Sequence, residues 1–356
     1  MPLSKSLRLY VFVISIAVTL IAPACGGGKS GGGAVKLQGA GATFPNPLYQ
    51  KWISEFDKAN PNVQIDYQSI GSGGGIKQIQ SRTVDFGASD SPMKDEDLRA
   101  APGPILHIPT VLGAVVITYN LSGVSQPLHF SPDVIADIFL GKIKKWSDQR
   151  LKTENPGATL PDSDITVVHR SDGSGTSAVF TDYLSKISPE WKEKVGSGTS
   201  PNWPVGLGGK GHEGVTGQVK QTPNTIGYVE LAYAAQNKLP VGLVKNKSGN
   251  FVEPSIDAVT SAAAAAVAST PDDLRVSITD AAGPTAYPIS SYTYILVYQE
   301  QQDPVKGKTV VDFLWWGIHD GEKFARDLLY APLPDEIVKR AEAKINSIKS
   351  GGKPLR

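Results

Sequence analysis

Residues 39–45 read Gly39-Ala40-Gly41-Ala42-Thr43-Phe44-Pro45, and a helical stretch from Asn46 to Ala59 follows. The same arrangement recurs twice. Gly71-Ser72-Gly73-Gly74-Gly75 precedes a helical Ile76 to Ser81, and Asp172-Gly173-Ser174-Gly175-Thr176-Ser177 leads into a helical Thr176 to Ser185. Each turn has the composition of a helix N-terminus that presents bare backbone N–H groups. Glycine lets a ligand come close to the backbone, and Ser or Thr adds a donor of its own. The partial positive charge of a helix N-terminus favours an anion. One such turn reads equally well as a plain helix cap. Three in one chain, with Arg170 beside the last, point to an anion site.

Outward from these turns, short apolar runs alternate with helical stretches. Val63-Gln64-Ile65-Asp66-Tyr67 alternates as a half-buried strand does. Ala114 to Tyr119, Ile165 to Val168 and Tyr294 to Tyr298 read as buried strands, while Pro132 to Leu140 and Pro334 to Ser350 read as helices. The mixture predicts an α/β fold. The nearly all-alanine run from Ser261 to Ser269 predicts a surface helix. No repeat of solenoid length is present.

The chain has 356 residues, which suits two domains, and a hydrophobic content of 40% supplies real cores. Lys+Arg is 35 and Asp+Glu is 34, without the basic excess of a nucleic-acid binder. An anion site must therefore be local. At the start, Lys5 and Arg8 precede an apolar run from Leu9 to Ile21, then Ala22, Pro23, Ala24 and Cys25. That is the layout of an export signal over residues 1–24. Cys25 is the only cysteine, so no internal disulfide can form. The glycine-rich segment 25–33 reads as a flexible tether, which is useful if something is tied to its start.

Six motifs, in order, resemble the phosphate-binding proteins of phosphate-specific ABC transporters. They are Gly39 to Pro45, Thr83 to Asp90 (TVDFGASD), Leu140 to Trp146 (LGKIKKW), Asp172 to Ser177, Trp203 to Gly211 (WPVGLGGKG) and Ile226 to Glu230 (IGYVE). The resemblance runs from about Leu37 to Leu355. It implies a two-lobed periplasmic-binding-protein fold of type II, closing on ligand in a cleft between lobes joined by crossing strands. Residues 34–112 plus 286–356 would form lobe one and 113–285 lobe two. Separately, the segment ending at Cys25 resembles a bacterial lipoprotein box, which implies a lipid anchor on Cys25, although Ala22 and Pro23 depart from the usual box. An ordinary signal peptide with a chance cysteine is the alternative.

By the same resemblance, Thr43 offers its hydroxyl and N–H, Phe44 its N–H, and Ser72 a hydroxyl and N–H. Ser174, Gly175 and Thr176 donate from the opposing lobe. Arg170 supplies a fork suited to two oxygens, with Asp172 as the partner that holds it. Asp90 is a carboxylate in an anion site, which makes sense if the ligand keeps a proton. An ionised carboxylate only accepts, so it can take a P–OH from phosphate but faces fully deprotonated sulfate as a repelling acceptor. The alternative is Asp90 as a helix cap before Ser91-Pro92, and both roles can coexist. Gly73 stands where many relatives carry a second serine, leaving only an N–H there. His169 stands where some carry a second basic residue.

The expected partners are inorganic phosphate, the ABC permease and ATPase subunits, and the membrane through the anchor, with no nucleic acid and a monomeric chain. No cofactor, metal or catalytic residue is expected. The competing readings are an extracytoplasmic phosphatase and a carrier of arsenate or another oxyanion. A phosphatase would need a nucleophile and usually metals, and His107, His129, His169, His212 and His319 are scattered without ligand spacing. Asp172 to Gly175 is not G-x-S-x-G, and Gly71 to Lys77 lacks the G-K-[ST] ending of a Walker loop.

Overall fold

The computed structural model describes residues 34–356. Among them, eight strands form one sheet. In chain order they are β1 (Val35–Gly41), β2 (Val63–Ser69), β3 (Phe86–Ser89), β4 (Ile105–Asn120), β5 (Thr166–Arg170), β6 (Leu207–Gly209), β7 (Thr225–Glu230) and β8 (Ser290–Tyr298). Their order across the sheet is β2-β1-β3-β8-β4-β7-β5-β6. β1 runs parallel to β2 and β3, and β5 runs parallel to β6 and β7. These parallel pairs are joined through helices, as parallel strands require.

β4 connects the two halves. Its residues Ile105 to Ala114 pair antiparallel with β8, from Ser290↔Ala114 to Tyr298↔Ile105, with a one-residue register shift between Thr293 and Tyr294. From Val115 onward it pairs with β7 instead, beginning at Val115↔Glu230. The partner changes between two adjacent residues. The strand is buried over nearly its whole length, which explains why only its most apolar part, Ala114 to Tyr119, was legible as a strand.

The helices are α1 (Asn46–Ala59), α2 (Ser72–Gln80), α3 (Pro132–Phe139), α4 (Gly175–Ile187), α5 (Gly211–Gln221), α6 (Ile256–Ala266), α7 (Pro304–Gly317) and α8 (Asp335–Asn346), with shorter ones between them. α1 shows why they sit where they do. Leu48, Tyr49, Trp52, Ile53 and Phe56 are its buried residues, a one-sided helical spacing that lays it on the sheet. α6 carries the alanine run at the surface with one face turned inward: Ala258, Val259, Ala262, Ala263 and Ala266 are buried in helical spacing, while Ala264 and Ala265 are exposed. Small side chains let this helix lie close to the strands it covers. No helix among the described residues is long and apolar enough to cross a membrane. The export segment, Cys25 and the tether fall outside the described residues.

Candidate functional site

The anion turns lie where strands end. β1 ends at Gly41 and delivers Thr43, β2 ends at Ser69 and delivers Ser72, β3 ends at Ser89 and delivers Asp90, and β5 ends at Arg170 and delivers Asp172 to Thr176. Ligands of open α/β sheets sit in the crevice beyond such carboxyl ends. Thr43, Ser72, Asp90, Arg170, Ser174 and Thr176 are all buried, none more than 3% exposed.

Ser72, Asp90 and Thr176 meet directly. The Asp90 N–H donates to Ser72 Oγ (3.2 Å), and the Ser72 and Thr176 hydroxyls lie 3.4 and 3.5 Å from Asp90 Oδ2. Asp90 Oδ1 is held more firmly, by the Thr293 hydroxyl at 2.9 Å, and the Ser291 hydroxyl donates to the Asp90 carbonyl at 3.1 Å. One carboxylate oxygen is thus tied to the scaffold and the other only loosely held. Burial pushes the Asp90 carboxyl up to about 7, against the lowering pull of the Thr293 hydrogen bond and the Arg170 charge.

Two glycines make this approach possible. A Cβ on Gly175 would stand 2.2 Å from Ser72 Oγ and 2.7 Å from Asp90 Oδ2. Gly71 has φ +85, and a Cβ there would meet Asp172 Oδ2 at 2.5 Å. The Gly73 N–H, expected to remain for a ligand, is instead committed to the Gly173 carbonyl at 2.8 Å. It ties the second turn to the third.

Arg170 donates through Nε to Asp172 Oδ1 (2.8 Å) and through Nη2 to Asp172 Oδ2 (2.5 Å). Its Nη1 is buried without a protein partner, as is Thr43 Oγ1. Buried donors left in this way are costly unless something accepts from them. Burial would raise the Asp172 carboxyl, but Arg170 and the Gly211 N–H at 3.0 Å outweigh it and hold it below the usual range. Asp172 is therefore ionised and fixes the guanidinium plane.

Neither Thr43 nor Phe44 gives its backbone N–H to another described group. The N–H groups of Ser72, Gly175 and Thr176 open their helices and lack intrahelical acceptors. Ser174 caps α4 by accepting from the Ser177 N–H at 3.0 Å, which leaves its own proton free to donate. The cap and donor readings of Ser174 are thus compatible. A cleft of about 160 Å³ reaches Asp90 from outside, between Ser91 and Lys94 on one wall and Val179 and Asp182 on the other.

His169 does not add charge. Its Nδ1 lies 2.9 Å from the Arg170 carbonyl, its ring stacks on Trp203 at 4.9 Å, and burial lowers its pKa. Sequence reasoning missed Thr293, Ser291, Tyr228 and the placement of His212. Tyr228 Oη accepts from the Arg170 N–H at 3.2 Å. The β8 residues carried no signal, because every position of that strand is buried and no alternation marks the polar ones. Among the described residues, no group of His, Cys, Asp and Glu is placed to hold a metal ion.

Several donors, one fork-shaped cation and a single protonatable acceptor, set between the strand ends of a bilobed α/β protein, define an oxyanion-binding protein. Comparison with known proteins places it more narrowly. The PBP superfamily domain matches residues 28–318. The phosphate-binding protein PstS of Xylella fastidiosa is 46% identical over 311 residues, covering 87% of this chain and 85% of that one. The same-named protein of Pasteurella multocida is 46% identical over 325 residues (90% and 94% covered), and that of Methanocaldococcus jannaschii 41% over 380 (98% and 96%). The chain belongs to the phosphate-binding protein family of the PBP superfamily. Solved structures agree on the fold. A high-affinity periplasmic phosphate-binding protein, PfluDING, aligns with TM-score 0.68 at 21% identity over 87% of this chain and 93% of that one. A phosphate-binding protein from Stenotrophomonas maltophilia aligns with TM-score 0.66 at 21% identity, covering 87% and 94%.

Proposed function

We propose that this protein binds inorganic phosphate one to one outside the cytoplasmic membrane and delivers it to an ABC importer. It acts as a binding protein, not a catalyst. The observation that carries this reading is that the same group of strand ends holds a loosely bound acceptor, Asp90 Oδ2, and two buried donors without a protein partner, Arg170 Nη1 and Thr43 Oγ1. A tetrahedral anion that still bears a proton satisfies all three at once. Thr43, Phe44, Ser72, Arg170, Ser174, Gly175 and Thr176 donate, Asp90 accepts the P–OH, and Asp172 orients Arg170. Charge-assisted hydrogen bonds contribute roughly 1.5–3 kcal/mol each. Several of them exceed the ordering cost of binding.

The closing unit is two lobes, 34–112 with 286–356 and 113–285, and the change of β4 partner between Ala114 and Val115 supports a division there. Cys25 carries the lipid anchor, the glycine-rich segment tethers the folded part, and the partners are the importer's permease and ATPase subunits. Arsenate shares the shape and the proton, so Asp90 does not reject it.

Calorimetric titration of the purified chain with phosphate at neutral pH tests the reading. One site per chain with submicromolar affinity is expected. No saturable binding in the micromolar range would overturn it.

A further inference from the structure

His212 is the second residue of α5 and is fully buried. A buried imidazole needs a partner on each nitrogen. Nδ1 lies 3.3 Å from the Glu230 backbone nitrogen, and Nε2 lies 3.0 Å from Thr176 Oγ1. A backbone N–H can only donate, so Nδ1 must be the lone-pair nitrogen. The ring cannot then be cationic, because a proton on Nδ1 would face the Glu230 N–H. Burial first, and the Arg170 charge second, also hold the imidazole well below its usual range. The single ring proton therefore sits on Nε2 and is donated to Thr176 Oγ1.

A hydroxyl has one proton to give. With the Nε2–H on the acceptor side of Thr176 Oγ1, its own O–H has to point away, towards Asp90 Oδ2 at 3.5 Å and the anion beside it. The ring itself is held in place. It stacks on Tyr233 with centroids 4.5 Å apart, and Tyr233 donates to the Thr43 carbonyl at 2.8 Å. The imidazole thus joins the turn carrying Thr176 to the turn carrying Thr43.

We propose that His212 is a positioning residue for anion binding, which by donating from Nε2 to Thr176 Oγ1 makes the Thr176 hydroxyl an obligate donor to the bound oxyanion. The inference rests on the phosphate-binding reading. It adds a residue that touches no ligand and yet sets the polarity of one that does.

Two amides separate this role from simple packing. In His212→Asn the side chain still reaches the Glu230 N–H but falls short of Thr176. In His212→Gln the amide nitrogen reaches the Nε2 position. Phosphate is titrated into the native chain, both variants, Thr176→Val, and the His212→Asn/Thr176→Val pair, with thermal melts in parallel. His212→Asn should raise the phosphate Kd about tenfold, and His212→Gln should restore it to within about threefold of native. In the Thr176→Val background, His212→Asn should add almost nothing. Equal losses for Asn and Gln, or additive losses with Thr176→Val, would overturn the proposal. Nitrogen-15 NMR of the native chain gives a test independent of variants and of ligand. The His212 proton should be found on Nε2, and a proton on Nδ1 would refute the assignment. Failure of the native chain to bind phosphate would instead refute the underlying function.

Discussion

At Asp90, replacing the carboxylate by an amide separates electrostatics from shape. In the folded protein its carboxyl titrates at about 7 because it is buried, against about 4 in an unfolded chain. The folded state holds the proton between those values. The unliganded protein therefore keeps this contribution to stability below about pH 4, loses it steadily as pH rises towards 7, and is level beyond. Asp90→Asn removes the titration. Its melting temperature in phosphate-free buffer should exceed the native one at pH 8 by several degrees and converge with it near pH 4. A difference that is the same at both pH values would show that Asp90 is not the titrating group. Arg170 is the complementary case. Its side chain is 1% exposed and paired with Asp172. Arg170→Ala should cost phosphate affinity about 2–5 kcal/mol, as truncation of a buried charge partner does. Lys144, which is exposed, should tolerate Ala to within about twofold. Titration of both variants checks the contrast, and similar losses would misplace the site. Residues of the first kind were legible in the sequence because glycine and hydroxyls sit in turns. Thr293 was not, because its hydroxyl hangs from a strand buried on both faces, where polarity is recognised only once Asp90 lies opposite.

Helix starts were read least accurately. The glycines at 73–75 are poor helix formers, so the expected helix began at Ile76. The structure begins it at Ser72. Tertiary contact prevails there: Gly73 bonds to Gly173, and the first turn of α2 packs against the turn of α4. The same closeness explains why α6 is alanine-rich. α1 was legible from end to end, since Pro at its start and a regular apolar stripe both mark it. At this scale Gly175→Ala is informative. The backbone at Gly175 is not in the left-handed region, so alanine fits α4 itself. Its methyl, however, would press on Ser72 Oγ and Asp90 Oδ2. The variant should melt within a few degrees of native and lose phosphate affinity about a hundredfold or more, the cost of keeping the two turns apart. Unaltered affinity, measured by calorimetry, would mean that the turns need not approach each other to bind.

Across the molecule, the segment from Thr270 to Asp280 runs between the two sides of the cleft. Arg275 Nη1 donates to Asp95 Oδ1 (2.7 Å) and to the Met93 carbonyl (3.0 Å), and Arg340 donates to the Thr270 carbonyl (2.8 Å). A few residues on, the Ser277 and Thr279 hydroxyls donate to Asp182 Oδ2 at 2.6 and 2.5 Å, and Lys186 donates to both hydroxyls. This clasp should resist separation of the two sides of the cleft. Asp95 is 69% exposed, and exposed pairs contribute little. Arg275→Ala should therefore speed phosphate release only about threefold and leave the association rate nearly unchanged, as stopped-flow kinetics would show. A slower association with native release would assign the segment to capture instead. No periodicity announces the proposed division into lobes, which came from resemblance, whereas the handover along β4 became visible only in the pairing of strands. The central claim is that Asp90 reads a proton on the ligand, and the most direct test is calorimetry of native protein and Asp90→Asn with phosphate and with sulfate. At about pH 9, some two units above the Asp90 titration, phosphate still carries a proton, and the native chain should prefer it by at least about a hundredfold, since sulfate must either face a buried carboxylate or have that group take up a proton at about 1.4 kcal/mol per pH unit. In Asp90→Asn that preference should collapse towards parity, because an amide can donate to sulfate. Equal native affinities, or a preference untouched by the substitution, would contradict the account.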